Sequence, residues 1–139
     1  MVNPVEVSLT FDEVERMMID DINNLVIECY GASYKAGWWT DPATGDHINA
    51  ASLIPTKLCL IHSEISEALE GARKDKMDDH LPHRKSFEVE LADAVIRICD
   101  LAGALNLDLG GALVEKMRYN AQRADHKLAN RASSGGKKF

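Results

Sequence analysis

Apolar residues recur along this chain at the spacing of helices, not of strands. "TFDE" opens the first such stretch: Thr10 can cap a helix while Glu13 reaches back to it. Val14, Met18, Ile22, Leu25 and Cys29 follow at helical period, which predicts a helix from about Phe11 to Tyr30 with Gly31 as its stop. The segment "GASYKAGWWTDPATGDHINAAS" then reads as a connector broken by Gly31, Gly37, Pro42 and Gly45, and it carries both tryptophans, Trp38 and Trp39. Connectors of that length in a compact domain are often functional. A second helix is expected from near Pro55 to about Lys74, since proline suits a first turn. The polar loop "DKMDDHLPHRK", broken by Pro82, separates it from a third helix near Ser86 to Asn106. Asp108 is the candidate N-cap of a fourth, from about Leu109 to Ala129. The end, "NRASSGGKKF", reads as a frayed tail, flexible over 131–139. No period-two alternation, repeat or linker interrupts this pattern. The expectation is an all-α fold, a single four-helix bundle-like domain spanning 1–139.

Composition narrows the function without naming it. The chain has 139 residues, enough for a core without disulfides. Its net charge of −6 argues against non-specific nucleic-acid binding. Cys29, Cys59 and Cys99 form no CxxC, and each lies in an apolar helical pattern, so they read as small core residues in a reducing compartment. "MVNPVEVSLTF" has neither the basic nor the apolar region of a signal peptide, and no apolar run approaches the roughly 20 residues that span a bilayer. A cytoplasmic protein with no membrane partner is expected.

The chemistry is in the carboxylates. Around the second helix, Ile61, Ile65, Ala68, Leu69 and Ala72 fall in one arc of about 100°. Glu64 sits at the edge of that stripe, Glu67 further round, and Glu70 about opposite. Taken alone, these are a charged helix flank. The third helix, "SFEVELADAVIRICDLAGAL", is apolar almost all round and so should be largely buried. Yet Glu90, Asp93, Arg97 and Asp100 run through it as one narrow strip. Buried carboxylates are costly unless paired or metal-bound. Arg97 and Asp100 can find partners; Glu90 and Asp93 need them. Antiparallel packing would bring the ExxE pair, Glu64 and Glu67, to face the ExxD pair, Glu90 and Asp93. Four converging carboxylates call for divalent cations, and all-oxygen ligation favours Mg²⁺, with Mn²⁺ as substitute. On the fourth helix Lys116, Asn120, Arg123 and Lys127 share a face. They read either as a solvated basic flank or as a phosphate clamp.

The ordered set "HSEISEALEGARK", "VELADAVIRICDLAGALNLDL" and "EKMRYNAQR" resembles the MazG-like branch of the all-α nucleoside triphosphate pyrophosphohydrolases. The likeness runs from about Leu58 to Arg123. It implies hydrolysis of an NTP or dNTP between the α- and β-phosphates, giving the monophosphate and pyrophosphate. It further implies that Glu64, Glu67, Glu90 and Asp93 hold Mg²⁺, that Lys116, Asn120 and Arg123 lie on the phosphate side, and that the protein is a homodimer or homotetramer. The mechanism expected is in-line attack of water on the α-phosphorus, with Glu67 as candidate proton acceptor.

Several residues have two readings. Trp38 or Trp39 can stack on a base or seal a loop. Arg73 and Lys57 can meet phosphate or serve ordinary surface roles. His62 reads as structural, and His80 and His83 as solvent-facing. A di-iron bundle needs Glu-x-x-His repeats, and no such spacing occurs. A helical interaction module whose acidic face binds a partner, without catalysis, is the alternative from another class.

Overall fold

The computed structural model describes residues 10–139; most of the segment examined for a signal peptide, 1–9, lies outside them. The described residues are all-helical: α1 (Phe11–Lys35), α2 (Ile54–Lys74), α3 (Ser86–Ala104), α4 (Leu109–Gln122) and the short α5 (Leu128–Ala132), with 3-10 turns at Ala50–Leu53 and Ala124–His126. No strand occurs among them; the only β-type pairs are the isolated bridges Thr40–His47 and Met77–Lys85. None of these helices is long and apolar enough to cross a membrane. The chain divides into two compact units, Asn24–Leu107 and the remainder, the break falling inside α1.

In the Asn24–Leu107 unit, α1 passes the expected stop at Gly31 and continues to Lys35. The Tyr30 ring meets Tyr34 edge-on one turn later, at 6.0 Å. The true terminator is Gly37, at φ 85°. There the Gly37 amide donates to the Tyr34 carbonyl and the Trp38 amide to the Ser33 carbonyl, a Schellman closure that needs a left-handed residue. The connector is thereby five residues shorter than expected, and it folds back on itself. Ile48 N donates to Trp39 O at 2.9 Å, and the Asp41 side chain accepts from Ala43 N at 2.8 Å.

Helices α2 and α3 pack antiparallel. The Gly71 backbone meets Ser86, the Glu64 carboxylate meets Asp93, and Lys57 bonds Asp100, so partners step by seven residues in opposite directions along the two helices. Seven residues are two helical turns, so the same face of α2 returns at each contact. A Cβ at Gly71 would lie 2.9 Å from Ser86 Oγ and 3.0 Å from the Phe87 amide; the glycine is what permits this approach.

Two sequence expectations about burial fail in this unit. The inward face of α2 is Glu64, Ala68 and Gly71, not the Ile61–Ile65–Leu69 stripe; Ile65 and Leu69 are exposed. Nor is α3 largely buried. Its buried positions are Ser86, Ala94 and the run Cys99–Ala102, while Phe87, Leu91, Val95 and Ile98 stand partly open. The helices approach through small residues and ion pairs, which leaves the larger aliphatics on their outer faces.

In the other unit, the capping box forms as read: Thr10 N donates to Glu13 Oε2 at 2.7 Å and Glu13 N to Thr10 Oγ1 at 3.3 Å. Asp108 caps α4 through Gly111 N, and Asn23 accepts from Gly110 N, each at 2.9 Å. Buried Glu15 pairs with Arg118, accepting from its Nε at 2.8 Å. Helix α4 ends at Gln122, short of the expected Ala129. Arg123 is extended there and its guanidinium turns onto Asp125.

Candidate metal centre

The register of α2 on α3 brings one carboxylate of α2 against two of α3. Ligand oxygens of Glu64, Glu90 and Asp93 all lie within 4.8 Å of one another. Glu64 is buried, and Glu90 and Asp93 are half-buried. Burial raises the Glu90 pKa first; the Glu67 charge, a hydrogen bond and charge from Glu64, and Asp93 push it further. Asp93 is likewise raised by burial, then by the Glu64 charge, against a smaller pull downward from Arg97 and a further push from Asp78. Both groups resist ionisation because they are half-buried and because negative charge is crowded there. A divalent cation reverses that penalty, and a site of carboxylate oxygens without nitrogen or sulfur suits Mg²⁺ or Mn²⁺. The donor set therefore fits such an ion.

Glu67 stands beside this group and outside it. Its charge is felt by Glu90, but its side chain is exposed and does not join the cluster of three. Glu70 lies on the far side of α2 as expected, exposed and paired with Lys74 at 2.6 Å and Arg73 at 3.6 Å. Arg73, a candidate phosphate contact, is thus engaged within its own helix.

Two further charged residues act on the cluster. Arg97 Nε donates to Glu64 Oε1 at 2.5 Å, which orients that buried carboxylate. Asp78, in the loop before α3, is buried, and its Oδ1 accepts from the amides of His80 and Leu81. Sequence reading left Asp78 in a polar loop; no helical period marks it.

Two turns along α2 and α3 from the carboxylates lies a buried triad. Trp39 is wholly buried, and its Nε1 donates to Asp100 Oδ1 at 2.7 Å. Lys57 Nζ donates to the other Asp100 oxygen at 3.1 Å and sits 4.2 Å from the Trp39 ring centre. Of the two readings for the tryptophans, Trp39 takes the sealing one: it cannot stack on a base. Lys57 is not a surface residue. Trp38 is exposed, as a stacking residue must be.

The α4 residues belong to the other unit. Lys116 Nζ lies 4.6 Å from the Tyr119 ring centre. Asn120 Oδ1 is buried and has no hydrogen-bond partner among the described residues. Arg123 follows the end of α4, with its fork on Asp125 at 2.9 and 2.6 Å. Lys127, past the helix, does not share the expected face. No family model matches the chain, and no curated protein or solved structure matches it significantly.

Proposed function

We propose that this chain is a Mg²⁺-dependent nucleoside triphosphate pyrophosphohydrolase, converting an NTP or dNTP and water to the monophosphate and pyrophosphate. The observation that carries the reading is the meeting of Glu64, Glu90 and Asp93, with Glu90 and Asp93 held above their ordinary pKa values by burial and by neighbouring carboxylates. The MazG-like order of motifs supplies the reaction. Mg²⁺, or Mn²⁺ in its place, would bring positive charge to the phosphate oxygens when bound. Glu64, Glu90 and Asp93 would hold it, with Arg97 fixing the orientation of Glu64. Glu67, adjacent and solvent-facing, is the carboxylate placed to take a proton from the attacking water. Lys116, Asn120 and Arg123 would face the phosphates, with the two cations and the Asn120 amide N–H groups as donors. Trp38 and Arg73 would serve the base and the phosphate tail.

In this reading the fold is a bundle of the all-α NTP pyrophosphatase type and the working form is a homodimer or homotetramer in the cytoplasm. The exposed Leu58, Ile65 and Leu69 of α2 and Phe87, Leu91 and Val95 of α3 support assembly through these faces. A panel of NTPs and dNTPs analysed by ion chromatography tests the reaction. Pyrophosphate should appear with Mg²⁺ and cease with EDTA. Diphosphate plus orthophosphate as products would refute the assignment. If no nucleotide is cleaved and the fold is indifferent to Mg²⁺, the acidic face belongs to an interaction module instead.

A further inference from the structure

The charge of this protein is unevenly placed. Residues 123–139 carry Arg123, Lys127, Arg131, Lys137 and Lys138 against one acid, Asp125, a formal net of +4 in a chain of −6. The segment runs through the 3-10 turn Ala124–His126 and α5 and then reverses.

The reversal is built from two glycines. Gly135 adopts φ 78°, a left-handed conformation that a side chain would strain. A Cβ at Gly136 would lie 2.4 Å from Arg131 O and 2.5 Å from Asn130 O, so the chain can cross the end of α5 only without one. The crossing returns Lys137 Nζ to Asp125 Oδ2 at 3.1 Å, where Arg123 Nη2 already donates at 2.6 Å. Arg131 Nη2 donates to Lys138 O at 3.2 Å, the side chain's one hydrogen bond among the described residues. Asp125, His126, Arg131, Lys137 and Phe139 line a cavity of about 310 Å³.

A cavity with this lining selects its ligand by charge. Asp125 meets two cations and still leaves an excess of positive charge at its rim. A single carboxylate cannot use the donors of two guanidinium groups and an ammonium. Phosphoryl oxygens suit them, because arginine offers a planar fork and lysine a point charge. The volume admits a diphosphate with some of its water, at about 30 Å³ per water. Its lining comes from one short segment, whereas a nucleic-acid backbone follows an extended track.

We propose that the folded segment 123–139 is a phosphoryl-anion site, formed by Arg131 and Lys137 beside the Arg123–Asp125 pair, that takes orthophosphate, pyrophosphate or the terminal phosphates of a nucleotide without needing a metal ion. The site stands whether or not the carboxylates of α2 and α3 hold Mg²⁺.

The test is calorimetry on the full chain in EDTA, with inorganic pyrophosphate, orthophosphate, a nucleoside triphosphate and a single-stranded oligonucleotide as separate titrants. Pyrophosphate should bind, more weakly as salt rises. Arg131→Ala and Lys137→Ala should each weaken it about tenfold, the loss of one charge-assisted contact. Arg131→Lys should recover part of that loss. Gly136→Ala, which cannot close the turn, should weaken it too with helix content unchanged by circular dichroism. Comparable binding of the triphosphate would identify a nucleotide's phosphates as one source of the ligand. Pyrophosphate binding that is absent, that is equal in wild type and both charge variants, or that is outdone by the oligonucleotide overturns the proposal. Glu64→Gln leaves this site intact, so a chain that binds pyrophosphate yet cleaves no nucleotide keeps the inference and loses the hydrolase reading.

Discussion

Asp100→Asn should be among the most damaging single-atom changes in the protein. Asp100 is buried, with one oxygen on Trp39 Nε1 and the other on Lys57 Nζ, whose side chain is 13% exposed. Asparagine keeps the shape and can still accept from the indole. It removes the charge that compensates Lys57, and it turns an amide donor or a neutral oxygen toward the ammonium. Breaking one side of a buried pair costs about 3–5 kcal/mol. Lys57 retains slight solvent access, so the lower end applies, about 3 kcal/mol. For a chain of this length that lowers Tm by about 10 °C. Urea unfolding followed by tryptophan fluorescence measures it, Trp39 being the buried reporter. Lys85→Ala is the control: Lys85 reaches Asp75 at 2.6 Å, a shorter contact, yet both side chains are more than half exposed. Its loss should stay within about 0.5 kcal/mol. Adding Lys57→Met to Asp100→Asn should return a large part of the loss, because no buried charge is then left alone. An Asp100→Asn cost below about 1 kcal/mol, or one no larger than that of Lys85→Ala, would refute the idea that burial rather than distance gives this triad its strength.

Gly71→Ala places a methyl group against Ser86 Oγ and the Phe87 amide, so it should destabilise by about 1–3 kcal/mol and weaken Mg²⁺ binding by shifting α2 on α3; unchanged Mg²⁺ affinity in calorimetry would separate packing from the site. The raised pKa values of Glu90 and Asp93 mean that the folded chain holds their protons more tightly than the unfolded chain. Their contribution is therefore fully present below the ordinary carboxylate range and is lost as pH rises through the folded values. Metal-free Glu90→Gln should accordingly gain stability over wild type as pH climbs from about 4.5 to 7 in urea melts, and Mg²⁺ should reverse the order. A pH-independent difference between the two would show that the carboxylates do not repel. Thr10→Ala, which deletes the α1 cap, should cost about 1 kcal/mol in the same melts and leave nucleotide cleavage unaltered.

The helices were legible because the apolar period is local, as were the caps of Thr10 and Asp108. What failed was rotation. The sequence places Ile65 and Leu69 inward on hydrophobicity, but α2 turns Glu64 and Lys57 toward α3, where Arg97 and Asp100 compensate their charge. Those partners lie more than thirty residues away, beyond the reach of any periodic pattern. Gly31 looked like a stop because glycine lacks helix propensity, yet only Gly37 is placed to close the last carbonyls of α1. Glu64, Glu90 and Asp93 were legible within a set of four, since paired acids on two amphipathic helices repel unless something holds them together; the fourth, Glu67, lies outside the cluster. Asp78 was not: its burial follows from a loop fold with no sequence period. The turn within 131–139 was not legible for a related reason, since it depends on Gly135 and Gly136 and on one acid, Asp125, outside it.

If the carboxylates of α2 and α3 hold a catalytic divalent cation, titrating Mg²⁺ into wild type, Glu64→Gln, Glu90→Gln and Glu70→Gln while recording pyrophosphate release from a nucleoside triphosphate should separate the variants. Wild type and Glu70→Gln should bind Mg²⁺ and cleave alike. Glu64→Gln and Glu90→Gln should lose both, activity falling by about two orders of magnitude or more. Full Mg²⁺-dependent activity in Glu64→Gln and Glu90→Gln, or a Glu70 variant as inactive as they are, would contradict the account.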